Sequence, residues 1–180
     1  ILALRGDNNS NNRYANDLVN QIRKINGNYF GICVAGYPTC HPDSKTIEDD
    51  IYFLKRKVES GADFIITQLF FEAETYIRFV KRCREAGINV PIIPGIFPIQ
   101  SYKSLKHITK LSKINIPENI LKIIEANKSN DEAIRKFGIE HSVNLIKKCI
   151  PYSKGVHFYT LNKLCTVEKI VSILNFDEKN

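Results

Sequence analysis

Short apolar runs and amphipathic helical stretches alternate along this chain, and that alternation constrains its fold more than any other feature. Strands separated by helices pair most readily in parallel, with each helix crossing back over the sheet. The clearest unit is the segment Gly61-Ala62-Asp63-Phe64-Ile65-Ile66-Thr67-Gln68-Leu69-Phe70-Phe71. It reads as a buried strand that ends abruptly in a polar residue, Gln68. In an α/β barrel the carboxyl ends of all strands open onto one face, and that face carries the chemistry.

Periodicity places strands over residues 1–5, 29–35, 64–68, 90–95 and 155–159. Helices follow over residues 14–25, 46–60, 74–86, 102–112, 131–148 and 167–174, with an extra one starting at Pro117. Leu18, Val19, Ile22 and Ile25 share one face of the first; Ile47, Ile51, Leu54 and Val58 share one of the second. Asn130 or Asp131 suits the cap of the long helix. The pattern gives about five βα units, strands 4 to 8 of a (β/α)8 TIM barrel, with residues 1–180 forming part of a single domain. A complete barrel takes about 250 residues, so three N-terminal units are expected to be missing. A five-stranded flavodoxin-like sheet is the competing topology, but Arg5-Gly6-Asp7 supplies one glycine where a dinucleotide fingerprint needs three.

Composition excludes little but ranks the partners. The net charge is +7, yet lysines are spread along the helices and form no run denser than Lys55-Arg56-Lys57. A solvated surface is therefore expected, with no nucleic-acid partner. The five cysteines are odd in number and form no CxxC pair, and no apolar run reaches membrane length. Reduced thiols and a cytoplasmic location follow. Cys40-His41 lacks a second ligand pair at zinc spacing, so no metal is expected.

The expected strand ends present Arg5-Gly6-Asp7, Gly36-Tyr37-Pro38 with His41-Pro42-Asp43, Thr67-Gln68, Pro94-Gly95-Ile96-Phe97-Pro98 and Tyr159-Thr160-Leu161-Asn162. Donors, acceptors and aromatic faces alternate, and no serine or cysteine stands beside a histidine base in a recognisable order. Such a mouth suits an aromatic, heteroatom-rich cofactor held by hydrogen bonds and stacking.

Together with Leu2-Ala3-Leu4, Ala35-Gly36-Tyr37-Pro38 and His157-Phe158-Tyr159-Thr160-Leu161-Asn162, these segments closely resemble the methylenetetrahydrofolate reductase family, in order and spacing over nearly the whole chain. The wording is more similar to the eukaryotic branch, and between NADPH and NADH the sequence does not choose. The resemblance implies a flavoprotein oxidoreductase built on a (β/α)8 barrel that holds FAD. NAD(P)H would reduce the flavin and 5,10-methylenetetrahydrofolate would then be reduced to 5-methyltetrahydrofolate, in one-carbon metabolism that feeds methionine synthesis. Homo-oligomers are expected of the full-length protein.

Carried over residue by residue, the resemblance makes Asp7 and Gln68 the catalytic and folate-contacting pair. Asp7 would stabilise the cationic iminium form of the substrate, and Gln68 can both donate to and accept from a pterin edge. Arg5, Gly6, Asp7, Tyr14 and Ala15 would line the flavin. Tyr37, His41, Pro42, Asp43 and Ser44 would hold the adenosine diphosphate portion of FAD. Asp50 and Lys57, seven residues apart on one helical face, would accept from ribose hydroxyls and neutralise pyrophosphate. Tyr102, Tyr159 and Lys163 would complete the substrate contacts.

There are departures. Lys163 stands where the family has an arginine, keeping the charge and losing the planar fork. The asparagine-rich loop 8–13 is shorter than in many relatives. The family's glutamate general acid belongs to a strand upstream of Ile1, and no residue here replaces it. The isolated chain is therefore expected to be inactive and poorly soluble. A non-catalytic short form acting as a partner-binding or regulatory subunit is the alternative. Each site residue also has a plainer role: Asp7 as a helix cap, His41 as a loop histidine, Asp50 and Lys57 as an exposed face, Tyr159 as core packing.

Overall fold

The computed structural model describes residues 1–4 and 14–175, so the expectations for Arg5, Gly6, Asp7 and loop 8–13 lie outside the described residues. Parallel strands alternate with helices in the order β1 (Leu2–Ala3), α1 (Ala15–Asn26), β2 (Cys33–Gly36), α2 (Ile47–Glu59), β3 (Phe64–Thr67), α3 (Ala73–Glu85), β4 (Ile92–Ile93), β5 (Gly95–Ile96), α4 (Tyr102–Ser112), α5 (Glu118–Ala126), α6 (Asp131–Cys149), β6 (His157–Phe158) and α7 (Cys165–Leu174). β1 to β4 form one sheet in sequence order, and β5 pairs with β6. Every pairing is parallel, as in Leu2↔Cys33, Cys33↔Phe64, Ile65↔Ile92 and Gly95↔His157.

The run expected as one strand at residues 90–95 is split by Pro94, which has no N–H for a ladder. Before it, Ile92 and Ile93 pair with β3; after it, Gly95 and Ile96 pair with β6. The join is made by side chains. The Gly95 N–H donates to Thr67 Oγ1 at 2.9 Å, and the Tyr159 hydroxyl donates to the Thr67 carbonyl at 2.9 Å. Gly95 is required there, because a Cβ would lie 2.2 Å from the Thr67 carbonyl oxygen.

Other boundaries move for local reasons. The expected second strand starts late, at Cys33, because Gly27 at φ 55° ends α1 and the Tyr29 N–H turns back onto the Asn26 carbonyl at 3.1 Å. Pro117 is the cap of α5 and not its first helical residue. Thr46 and Asn130 cap α2 and α6 through side-chain oxygens that accept from Asp49 and Ala133 N–H at 3.0 Å each, satisfying donors that a helix start leaves orphaned.

The apolar faces read from periodicity bury as two clusters, except in α1, where Val19 and Ile22 pack but Leu18 and Ile25 of the expected face are 37% and 70% exposed. Ile32, Val34, Ile65 and Ile92 of the sheet region pack with Val19, Leu54, Tyr76 and Ile146 from the covering helices. Leu69, Phe71, Phe97 and Ile99, beyond the strand ends, pack with Leu105, Ile120 and Ile134. Gly138 lets α6 lie directly on the backbone there; a Cβ would meet the Ile99 carbonyl oxygen at 1.9 Å. At the opposite, amino-terminal end of the strands, Asp63 accepts from the Ile32 N–H at 2.6 Å and from Arg23 at 2.7 Å. The acidic residue preceding β3 thus ties strand starts together, leaving the carboxyl ends for binding.

Candidate functional site

β2 ends at Gly36, and the connection to α2 folds into two consecutive turns. The Cys40 N–H donates to the Tyr37 carbonyl, and the Ser44 N–H to the His41 carbonyl, each at 3.0 Å. Cys40 adopts φ 78°, a left-handed conformation that non-glycine residues rarely take. The His41 ring lies edge-on to Tyr37 with centroids 4.4 Å apart. His41 Nδ1 accepts from the Asp43 N–H at 3.0 Å, so the ring's proton belongs on Nε2. The Asp43 carboxylate, 4.0 Å from the same Nδ1, would form an ion pair only with a doubly protonated ring.

α2 supplies the opposite wall. Asp50, in its first turn, is 7% exposed. Its Oδ2 accepts from the His41 N–H at 3.1 Å and its Oδ1 lies 3.5 Å from the Ser44 hydroxyl. Burial pushes the Asp50 carboxyl up from its ordinary value, against the lowering effects of the His41 N–H and the Lys57 charge. Lys57, two turns along, donates to the Ala35 carbonyl at 3.1 Å and sits 5.8 Å from the Tyr37 ring centroid. Burial pulls its ammonium down and the Asp50 charge opposes that. A half-buried cation held by one carbonyl and facing a cleft attracts an anion.

Between these walls and the start of α1 lies a cleft of about 660 Å³, the size of an ordinary small-molecule or cofactor site. Of the residues singled out in the sequence, Tyr14 and Ala15 line it from α1, and Tyr37, His41, Asp43 and Ser44 from the connection. Asp50 and Lys57 line it from α2. Pro42 belongs to the same connection but is not among the lining residues. The amino-terminal end of α1 adds positive potential there. Sequence reading missed Phe53 and Arg56, which also line the cleft. The signal was present: Phe53 and Lys57 are one helical turn apart, off the apolar face that anchors α2 to the core. Phe53 is 54% exposed, its ring 5.4 Å from that of Tyr52, and it shares the cleft lining with Arg56 and Lys57.

Gln68, Tyr102, Tyr159 and Lys163 do not line this cleft; they stand at other strand ends. Gln68 is half-buried, and its Oε1 accepts from the Leu69 N–H at 2.9 Å. Its amide nitrogen has no partner among the described residues. Tyr159 braces β6 to β3 through Thr67, and burial pushes its hydroxyl up to about 12. Tyr102 opens α4 and donates to Glu125 Oε1 at 3.0 Å, with Lys106 5.5 Å from its ring centroid. Lys163 is exposed in the turn after β6. Gln100, which sequence reading did not single out, is a 5% exposed amide beyond the end of β5.

Among the described residues no group of three or more His, Cys, Asp or Glu side chains could hold a metal ion, and no helix is long and apolar enough to cross a membrane.

Comparison with known proteins agrees in one direction. The family model described as Methylenetetrahydrofolate reductase matches residues 1–175. The chain is 43% identical to a probable methylenetetrahydrofolate reductase (NADPH) of Caenorhabditis elegans, over 97% of this chain and 28% of that protein. It is 40% identical to methylenetetrahydrofolate reductase (NADH) 1 of Arabidopsis thaliana, over 90% of this chain and 31% of that protein. With 5,10-methylenetetrahydrofolate reductase of Escherichia coli K12 it shares 38% identity over 91% of this chain and 56% of that protein. The chain thus spans under a third of those two eukaryotic relatives and just over half of the bacterial one. Among solved structures, an uncharacterized protein from Clostridium thermocellum that binds two copies of 5-methyl-5,6,7,8-tetrahydrofolic acid superposes with a TM-score of 0.63 at 20% identity, over 89% of this chain and 57% of that one. At that identity the likeness speaks for the fold alone.

Proposed function

The chain belongs to the methylenetetrahydrofolate reductase family, and from that premise we propose that it forms part of the catalytic domain of a flavin-dependent oxidoreductase. The reaction is the reduction of 5,10-methylenetetrahydrofolate to 5-methyltetrahydrofolate with NAD(P)H. The domain reading is a (β/α)8 barrel to which residues 1–180 contribute about five units, three more being supplied by preceding sequence. Cytoplasmic location and homo-oligomeric assembly belong to the same reading.

The observation that carries it is the cleft after β2, around which eight residues expected to contact FAD converge. The donor set fits the adenosine diphosphate half of that cofactor. Lys57 and the start of α1 suit the diphosphate, and the Tyr37 and exposed Phe53 rings suit flat heterocycles. When bound, the flavin would supply a two-electron carrier between nicotinamide and folate.

The chain's own residues do the binding and orienting. Gln68 keeps an amide N–H₂ group available for a pterin edge, while the bond to Leu69 fixes its rotamer. Asp7 would supply the negative charge that favours a cationic substrate form. Lys163, exposed after β6, suits the carboxylates of the folate tail as a point charge. The test uses protein expressed from the complete gene: bound flavin is identified after heat release, and NAD(P)H oxidation is followed with and without methylenetetrahydrofolate. Flavin-loaded protein with folate-dependent oxidation is expected; a flavin-free protein without turnover would overturn the reading.

A further inference from the structure

We infer that Thr67 is a positioning residue for the folate side of the site: its two oxygens hold the β5–β6 pair against β3 and so set the spacing of Gln68 and Tyr159. The inference rests on the reading of these strand ends as the place where folate is bound, and deepens it. The resemblance gave roles to Gln68 and Tyr159 and none to Thr67, the last residue of β3. Its side chain is polar and fully buried, at 0% exposure. A group so enclosed touches no ligand in the mouth and acts through its neighbours.

Those neighbours meet where ordinary pairing stops. Pro94 interrupts the run after β4, and β5 pairs with β6. Within that pair the His157 and Tyr159 N–H groups donate to the Pro94 and Ile96 carbonyls at 3.0 and 2.8 Å. Across the gap to β3, Thr67 Oγ1 accepts from the Gly95 N–H and the Thr67 carbonyl accepts from the Tyr159 hydroxyl, each at 2.9 Å. The peptide group between Thr67 and Gln68 is thus held at both ends. Tyr159 holds its carbonyl, and its N–H donates to the Gly36 carbonyl of β2 at 2.8 Å. Gln68 takes its direction from that peptide group, and the Leu69 N–H fixes its amide. Hydrogen bonds weaken steeply with distance and angle, so the grip of Gln68 and Tyr159 on one ligand depends on how closely Thr67 joins their strands.

The test uses protein from the complete gene and reads two sites. Thr67→Val keeps the shape of the side chain and removes the acceptor, leaving the buried Gly95 N–H unpaired. The kcat/KM for methylenetetrahydrofolate should fall by about tenfold or more. The FAD dissociation constant, from fluorescence quenching of flavin-free protein, should change by less than about twofold, as expected of a separate site. None of the described residues lining the cleft after β2 belongs to β3, β5 or β6. Thr67→Ser, which keeps Oγ1, should recover most of the lost kcat/KM. Unchanged kcat/KM in Thr67→Val would overturn the inference, and so would equal losses at both sites, which mark a general loosening of the fold. Failure of Thr67→Ser to recover would do the same. Should Thr67→Val not fold, Thr67→Cys, with a weaker acceptor at the same place, decides by the same readouts, with a smaller fall expected. If the unaltered protein shows no folate-dependent turnover, the functional reading falls and this inference with it; an active protein indifferent to Thr67→Val sinks the inference alone.

Discussion

Lys57 shows how one residue's environment can be turned into a binding prediction. Its side chain is half-buried, its ammonium held by the Ala35 carbonyl and pulled below its usual value by burial. An anionic group entering the cleft adds to the opposite charge that Asp50 already sets against this ammonium. Lys57→Met keeps the stem's packing and removes only the charge, so FAD affinity should fall by about tenfold or more, read by titrating flavin-free protein from the complete gene with FAD and following fluorescence quenching. Unchanged affinity would place the diphosphate elsewhere. Two half-buried imidazoles give a second prediction. Burial pulls His141 and His157 below the ordinary value of 6.5. Below 6.5 the unfolded chain takes up protons that these folded rings resist, so stability present at neutral pH is lost as pH falls through that range. His141 stacks on Phe137 and its Nε2 has no hydrogen-bond partner among the described residues. His141→Phe should therefore flatten the fall in urea midpoint on acidification; an unchanged slope would assign the acid sensitivity to other groups. At this scale much of the cleft was legible. Tyr37, His41, Asp43, Ser44, Asp50 and Lys57 were named from motif register. Phe53 and Arg56 were not, because helical periodicity identifies the face that packs and says little about which exposed residues border a cavity.

Among the elements, the strands were found where apolar runs are unbroken, and misjudged where pairing depends on side chains. The strand expected at residues 64–68 stands within one residue, at Phe64–Thr67, because all four of its residues pair with β2 and Ile65 and Ile66 pair with β4 as well. The run at residues 90–95 divides at Pro94, and no propensity shows that Thr67 and Tyr159 would replace the missing ladder bonds. That substitution makes two positions sensitive. Gly95→Ala would force a methyl to 2.2 Å from the Thr67 carbonyl oxygen and 2.6 Å from the Tyr159 ring. Neither neighbour is a flexible side-chain end, so about 3 kcal/mol of stability should be lost. Tyr159→Phe, by contrast, removes one donor from the Thr67 carbonyl and should cost about 1 kcal/mol. Urea midpoints measure both. A Gly95→Ala loss no larger than that of Tyr159→Phe would mean that the β3–β5 junction is looser than its contacts indicate.

Taken whole, the molecule has a covered centre and two uncovered flanks. β1 and β6 each pair on one side only among the described residues. Leu2 in β1 and Leu4 just after it are each 48% exposed, and beyond β6 stand Leu161 and Leu164, at 44% and 60%. Unpaired parallel edges bordered by apolar side chains are templates for association. Barrels remove such edges by closing. The 180-residue chain alone is therefore expected to self-associate as its concentration rises, by sedimentation velocity, and to show no NAD(P)H-dependent reduction of methylenetetrahydrofolate. Protein from the complete gene should sediment as a defined species and turn over. The two measurements fail independently. A monodisperse isolated chain would mean that its edges are protected by a closure that the short pairings of β1 and β6 do not reveal. Turnover by that same chain would mean that the acid required for folate ring opening lies among residues 1–180, and the reading of the site as incomplete would then be withdrawn.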